Sequence, residues 1–121
     1  MIPRRHKRPR MNIRQSSVVR CPGHLKWIRG HECSIHAEMG HICSDRIEAA
    51  HVRCGTDGGT GMKPGDCWAI PLCSVAHKTQ HRYGEPEFER MYRIDMKKIA
   101  ASLWLSSPHG IRYRRERERG A

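Results

Sequence analysis

The stretch that decides the fold runs from Ile47 to His81. It reads IEAAHVR at 47–53, CGTDGGTGMKPGD at 54–66 and CWAIPLCSVAHKTQH at 67–81. Alternation predicts a strand over 45–53, the β-rich run CWAIPLC predicts a second strand, and the polar segment after Cys73 predicts a helix. The order strand, loop, strand, helix therefore predicts a small α+β unit.

The predicted helix carries two histidines four residues apart. His77 and His81 stand at i and i+4, so both imidazoles share one helical face, with Cβ atoms about 6 Å apart. Such a pair can grip one divalent ion, and Cys73 stands at the helix start. We therefore interpret the helix as part of a metal site.

A third histidine, His51, lies on the first predicted strand. Alternation places residues 47, 49 and 51 on one face of that strand and 48, 50 and 52 on the other. A histidine among small and apolar neighbours is commonly a satisfied core residue, so only its context can favour a catalytic role.

The connecting loop is rich in glycine, with five glycines in thirteen residues. It is not a nucleotide-binding phosphate loop, because Met62 precedes Lys63 and Pro64 follows it, where that motif needs Gly-Lys-Ser/Thr. We expect a mobile loop between two strands. Asp57, Lys63 and Asp66 are available to a site or a phosphate, or are solvated loop charges.

Cysteine and histidine recur upstream of the first strand. Cys33 and His36 have C-x2-H spacing, and His41 and Cys43 have H-x-C spacing. A turn could aim such ligands at one tetrahedral Zn²⁺; the alternative is two buried thiols and two surface histidines. The chain has six cysteines and nine histidines and lacks a secretory signal, so metal ligation is favoured over disulfides.

The flanks predict short supporting helices. Pro22 opens one over 22–30 with Trp27 in the core, Pro86 opens another, and Asp95 caps a third whose apolar side faces inward. No apolar run approaches the roughly 18 residues needed to span a bilayer, so we expect a soluble cytoplasmic protein.

The net charge of +11 lies in the tails. Residues 1–20 hold seven Lys/Arg and no acid, and residues 111–121 hold five Arg against two Glu. We predict a disordered basic arm at 1–20, one domain at 21–107 and a disordered Arg-rich tail at 108–121. Such ends are often merely solvated, but they can also neutralise DNA phosphates. The expected contacts are Arg4, Arg5, Lys7, Arg8, Arg53, Lys63, Arg114 and Arg115.

Several motifs follow one another along the chain: IEAAHVR, GTDGGTGMKPGD, WAIPLC, then H, QH, GEPEFER and ID. Together they resemble the HNH, or ββα-metal, endonucleases. The likeness is to the small phage- and prophage-associated branch that includes a recombinase-dependent DNA nuclease. The likeness covers about residues 22–107. It implies a ββα-metal core with a zinc-stapled loop and flanking helices, DNA as substrate, and a recombinase or phage protein as a further partner.

The resemblance also implies roles for individual residues. His51 matches the general base that activates water, and His77 matches a ligand of one catalytic divalent ion (Mg, Mn, Zn or Ni), with His81 one turn further along. The cysteines that match a structural zinc site are Cys33, Cys43 and Cys73.

The chain departs from the family pattern at three positions. Ala50 stands where a metal ligand is usual, which leaves Asp57 or His81 to substitute, and Trp68 stands where Asn is frequent. Ala76 replaces the usual fourth zinc ligand, which His36 or His41 could supply. These departures keep a second hypothesis open: a non-catalytic, zinc-stabilised module that binds nucleic acid.

Overall fold

The computed structural model describes residues 18–35, 43, 46–57 and 63–120. These residues form helices around a two-stranded antiparallel sheet, so the chain is an α+β protein, as predicted. No helix in these ranges is long and apolar enough to cross a membrane. In chain order the elements are α1 (Pro22–Ile28), β1 (Ile47–His51), a 3₁₀ turn (Asp66–Trp68), β2 (Ala69–Cys73), α2 (Ser74–Tyr83), α3 (Glu85–Tyr92), α4 (Met96–Ser106) and α5 (Pro108–Gly120).

The two predicted strands form the centre of the fold. β1 pairs with β2 from Ile47 opposite Cys73 to His51 opposite Ala69. Every residue of β2 is buried, because α1, α2 and α4 pack around it. Proline at position 71 leaves no N–H to pair, and its carbonyl instead accepts the backbone N–H of Ser34 at 2.8 Å. The segment around Ser34 therefore bonds to β2 and helps to cover it.

The hydrophobic core lies between this hairpin and the helices that follow it. Phe88 from α3 and Met96 and Ala100 from α4 are fully buried. The predicted cap is confirmed: the Asp95 carboxylate accepts the backbone N–H of Lys98 at 3.1 Å.

The C-terminal tail is a helix, so the prediction of disorder at 108–121 is wrong for residues 108–120. Ser107 caps α5 by accepting the N–H groups of His109 and Gly110, both at 3.2 Å, and Pro108 follows at the first helical position. Arg114 donates to the carbonyl of Trp104 at 3.2 Å and so ties α5 to the end of α4. Burial at one end and these contacts hold a segment whose charge alone suggested a solvated coil.

The end of the predicted basic arm is also part of the fold. Val18 is buried, and Arg20 donates to the backbone carbonyls of Lys63 and Pro64 at 3.0 and 2.8 Å. The arm is thus fixed at residues 18–20 beside the loop that leads to β2. Arg4, Arg5, Lys7 and Arg8 lie outside the described residues.

Trp27 is only partly buried, contrary to its predicted place in the core. The buried positions of α1 are His24 and Ile28. The His24 ring stacks on Trp27 and meets Trp104 edge-on, and its Nδ1 lies 2.9 Å from the Ser107 hydroxyl. A buried histidine, instead of the tryptophan, therefore joins α1 to the junction of α4 and α5.

Candidate functional site

The two histidines of α2 face each other as their spacing predicts. The Nε2 atoms of His77 and His81 are 3.2 Å apart. Two nitrogens that bind one tetrahedral ion at 2.0–2.1 Å stand about 3.3 Å apart, so the pair already has a separation suited to sharing a metal. Both rings are accessible, because His81 is exposed and His77 is half-buried.

Glu48 orients this pair, and the sequence interpretation did not identify it. One Glu48 oxygen lies 2.8 Å from Nδ1 of His77, which leaves Nε2 of His77 to face His81. The hydrogen bond with His77, helped by Arg46 and Lys78, lowers the pKa of Glu48 below its usual value. Strand alternation could have identified Glu48, because residues 48 and 50 share one face of the strand and a metal ligand was expected at position 50.

Ala50 itself is in the core. Its side chain is fully buried among the residues that pack between the hairpin and the helices. Ala76 is buried too, and its backbone N–H donates to the thiol of Cys73 at 3.4 Å. Both alanines therefore fill apolar positions instead of supplying ligands.

His51 is held by a different carboxylate. Its Nε2 lies 2.9 Å from Oδ1 of Asp66, whose Oδ2 accepts the backbone N–H of Cys21 at 2.8 Å. The Asp66 side chain is 4% exposed, so the prediction of a solvated loop charge is wrong for this residue. Burial alone would raise the pKa of Asp66, but the hydrogen bonds from His51 and Cys21 and the charge of Arg20 lower it.

The three histidines do not form one cluster. Glu48 and His51 are three positions apart on β1, so they project from opposite faces, about 10 Å apart along the strand. In the described part of the chain, no hydrogen bond joins His51 to His77 or His81. These residues therefore form two separate carboxylate–histidine units, Glu48–His77–His81 and Asp66–His51.

Asp57, the proposed substitute ligand, belongs to the loop. Its Oδ1 accepts the backbone N–H of Gly65 at 2.8 Å, and among the described hydrogen bonds none links it to His77 or His81. Asp57 thus closes the end of the glycine-rich loop just before Asp66, instead of joining the histidine pair.

Three cysteines form the predicted cluster. The Sγ atoms of Cys33, Cys43 and Cys73 all lie within 4.8 Å of one another and could hold a metal ion. Around a tetrahedral zinc with bonds of about 2.3 Å, sulfur atoms stand about 3.8 Å apart, so the three thiols fit such an ion. Burial, with the adjoining thiols of Cys33 and Cys73, raises the pKa of Cys43 to about 12. A cation would be needed to keep these sulfurs deprotonated together.

The proposed fourth ligands, His36 and His41, lie outside the described residues. Within those residues, the three cysteines are the single group of three or more potential ligands close enough to share an ion. The cluster joins the segment after α1 to the start of α2, because Cys73 is the N-cap of that helix. Its position therefore fits a structural staple.

The basic residues predicted to contact DNA occupy different environments. Arg53, Lys63 and Arg115 are exposed. Arg114 donates to the carbonyls of Trp104 and Leu105, and its guanidinium lies 5.6 Å from the centre of a Trp104 ring. Arg114 thus has a structural role at the junction of α4 and α5.

The chain matches no family model, no curated protein and no solved structure.

Proposed function

We propose that this protein is a metal-dependent DNA endonuclease of the ββα-metal (HNH) type. One observation carries the proposal: His77 and His81 present Nε2 atoms 3.2 Å apart, with His77 oriented by Glu48 at 2.8 Å. A histidine that donates its second nitrogen to a carboxylate is the usual arrangement of a metal-ligating imidazole. The resemblance of the sequence to HNH nucleases supports the same interpretation.

The ion would be held by His77 and His81, with Glu48 bonded to the far side of the first ring. Imidazole nitrogens favour Zn²⁺ or Ni²⁺ over Mg²⁺, although Mg²⁺ and Mn²⁺ serve many nucleases. A bound divalent ion would supply Lewis-acid stabilisation of the negative charge that develops on a scissile phosphate.

His51 is the proposed general base. The ionised carboxylate of Asp66 can only accept, so Nε2 of His51 is the donor in their 2.9 Å contact. In neutral His51 the lone pair is then on Nδ1, and Nδ1 is the atom that takes a proton from water. Asp66 fixes this tautomer because its other oxygen is bound to the backbone of Cys21.

The proposal sets a condition on the substrate. The His77–His81 pair and His51 are separate in the protein, so a bound phosphodiester must reach both for the reaction to occur. Exposed basic side chains such as Arg53 and Lys63 would contact neighbouring phosphates. The cysteine cluster, which we propose holds a structural zinc, would keep the start of α2 fixed to the segment after α1.

A second candidate function is a non-catalytic zinc module that binds nucleic acid. It is favoured by one observation: in the described residues, three ligands converge at the cysteines and only two at the histidine pair. The two candidates differ in whether a metal ion binds at His77.

A nicking assay combined with metal analysis separates them. Supercoiled plasmid is incubated with wild-type protein, His51→Ala and His77→Ala in Mg²⁺, Mn²⁺, Zn²⁺ or Ni²⁺. The endonuclease proposal expects cleavage by the wild type alone, and one metal equivalent fewer bound by His77→Ala. Equal activity in all three proteins would reject the proposal, and unchanged metal content in His77→Ala would favour the non-catalytic module.

A further inference from the structure

A groove runs between α1 and α5, on a part of the surface that the proposed chemistry does not use. Its larger hollow, about 530 Å³, is lined by Gly23, Lys26, Trp27, Gly30, His31 and His109. A smaller hollow of about 150 Å³ adjoins it and shares His109, with Cys21, Arg112, Tyr113 and Glu116 as its other walls. We call the two hollows together the α1–α5 groove.

Helical spacing and one glycine build this groove. Positions 23, 26 and 27 of α1, with position 30 just past its end, line one wall. Positions 109, 112, 113 and 116 line the other and follow the i, i+3, i+4, i+7 pattern of one face of α5. At Gly23 a Cβ atom would lie 2.7 Å from Nδ1 of His109, so only glycine lets the His109 ring sit against α1. His109 thereby forms the ridge between the two hollows.

The walls combine flat rings with positive charge. Trp27 is partly exposed, and the His31 ring meets it edge-on at 4.3 Å, fixed by a 2.9 Å contact between its Nδ1 and the Trp27 carbonyl. Lys26 lines the larger hollow and Arg112 the smaller one, which also has Glu116 in its wall. Both basic side chains are exposed, and neither has an ion pair within the described part of the chain. Rings for stacking beside cations for phosphates are the features that bind single-stranded nucleic acid.

Duplex DNA fits these walls less well. A duplex keeps its bases stacked inside and would offer only its phosphates, so Trp27 and His109 would have no partner. An unpaired strand can place a base in the larger hollow and its phosphates against Lys26 and Arg112. Walls of this kind are therefore better suited to an unpaired strand than to a duplex.

One residue that lines the groove is linked to His51 by hydrogen bonds. Cys21 lines the smaller hollow, and its backbone N–H donates to the carboxylate of Asp66 at 2.8 Å, which in turn holds His51 at 2.9 Å. One wall of the groove is thus separated from the proposed base by a single residue, Asp66. A strand bound in the groove would therefore lie near the residues that hold His51.

We propose that the α1–α5 groove binds single-stranded DNA and delivers an unpaired strand to the nuclease centre. Delivery of the strand for cleavage rests on the proposed nuclease function. Binding itself can be measured without any cleavage.

The test uses the full-length protein carrying His77→Ala, which removes the proposed catalytic ion but lies outside the groove. Binding of a fluorescein-labelled oligo(dT) and of a duplex of equal length is followed by anisotropy over a range of salt concentrations. Lys26→Glu and Arg112→Glu are compared with Lys98→Glu, an exposed lysine of α4 that makes the same charge change. Trp27→Phe tests whether a base stacks on Trp27: the quenching of protein tryptophan fluorescence by bound oligo(dT) should be smaller in this variant.

We expect Lys26→Glu and Arg112→Glu each to weaken oligo(dT) binding about tenfold and to reduce the salt dependence by about 0.7 per lost phosphate contact, whereas Lys98→Glu stays within about twofold. Wild-type-like binding by both groove variants, or equal affinity for duplex and single strand, would overturn the inference. If the wild type never cuts DNA but the groove variants behave as expected, the nuclease proposal fails and the groove remains.

Discussion

His77 lies with its Nδ1 2.8 Å from a carboxylate oxygen of Glu48, so a residue of β1 orients the first histidine of α2. Because Nδ1 is engaged, Nε2 of His77 is directed at His81. The strand thus contributes to the proposed metal site from position 48 instead of from position 50, where the family pattern places a ligand.

Replacing Glu48 by Gln should weaken metal binding at this site about tenfold to a hundredfold, the usual effect of losing a carboxylate that orients a ligating histidine. The amide oxygen can still accept from Nδ1, so the melting temperature should hardly change. Titration of the zinc-loaded protein with Ni²⁺ measures the effect, and Glu87→Gln on α3 serves as the matched control. Equal Ni²⁺ affinity in the two variants would show that Glu48 does not support the site.

Asp66→Asn should reduce DNA cleavage by roughly 10²-fold, toward the level of His51→Ala, because an amide can bond to either tautomer of His51. Nitrogen chemical shifts should show the proton on Nε2 of His51 in the wild type and a mixture in the variant. Asp57→Asn, which alters a nearby loop carboxylate, should retain activity. Cleavage by Asp66→Asn equal to that of Asp57→Asn would contradict the assigned role.

Local patterns were sufficient to predict most of the fold. Alternation located β1, proline and aspartate marked the starts of α1, α3 and α4, and the i, i+4 spacing placed His77 beside His81. These features depend on neighbours within one turn or one strand, which a sequence displays directly. The cysteine cluster was predictable as well, although only the resemblance combined Cys33 and Cys43 with Cys73.

Contacts between distant segments were not predictable in the same way. Asp66 resembled any loop aspartate until Cys21 and His51 were found on its two oxygens. The charge of the tail predicted a solvated coil. The helix is instead held by packing of Gly110 and Tyr113 against Trp104, and this contact between two helices cannot be read from local sequence. The Ser-Pro pair at 107–108 could have predicted the start of α5, since such a pair caps a following helix as well as ending the one before it.

Cys73→Ser should remove one zinc equivalent and lower the melting temperature by about 10 °C or more, because a metal-bound cluster contributes to folding and each kcal/mol corresponds to about 4–8 °C in a small domain. Cys54→Ser is the matched control, since Cys54 is exposed and lies outside the cluster. Elemental analysis and calorimetry measure the two effects. Identical zinc content in both variants would exclude a metal at the three cysteines.

Gly110→Ala should destabilise the protein by about 1–3 kcal/mol, because overpacking forces neighbouring backbone to move. A Cβ at this position would lie 2.4 Å from the Trp104 carbonyl oxygen and 2.9 Å from the Trp104 ring, so α5 would have to shift away from α4. Gly120→Ala, which meets nothing within 4 Å, should cause no loss. The free energy of urea unfolding is measured for both variants. Equal values for Gly110→Ala and Gly120→Ala would show that α5 does not pack against α4.

His24 should make stability depend on pH. Burial, together with the nearby charge of His109, lowers the pKa of His24 to about 4 from 6.5, although Asp66 opposes the shift. Ser107 accepts two backbone N–H groups, so its own proton is the one donated to Nδ1 of His24. The remaining ring nitrogen, Nε2, is buried without a hydrogen-bond partner in the described residues.

The folded state therefore keeps His24 neutral where the unfolded chain would protonate it. The neutral His24 therefore contributes to the free energy of unfolding in full above pH 6.5. This contribution, at most about 3 kcal/mol, is lost as the pH falls from 6.5 toward 4. The free energy of urea unfolding, measured at pH 7, 5.5 and 4.5 with equal metal loading, should fall more steeply for the wild type than for His24→Gln. His31→Gln, a change at the half-buried histidine beside Trp27, should keep the wild-type slope. If His24→Gln keeps that slope as well, protonation of His24 does not oppose folding.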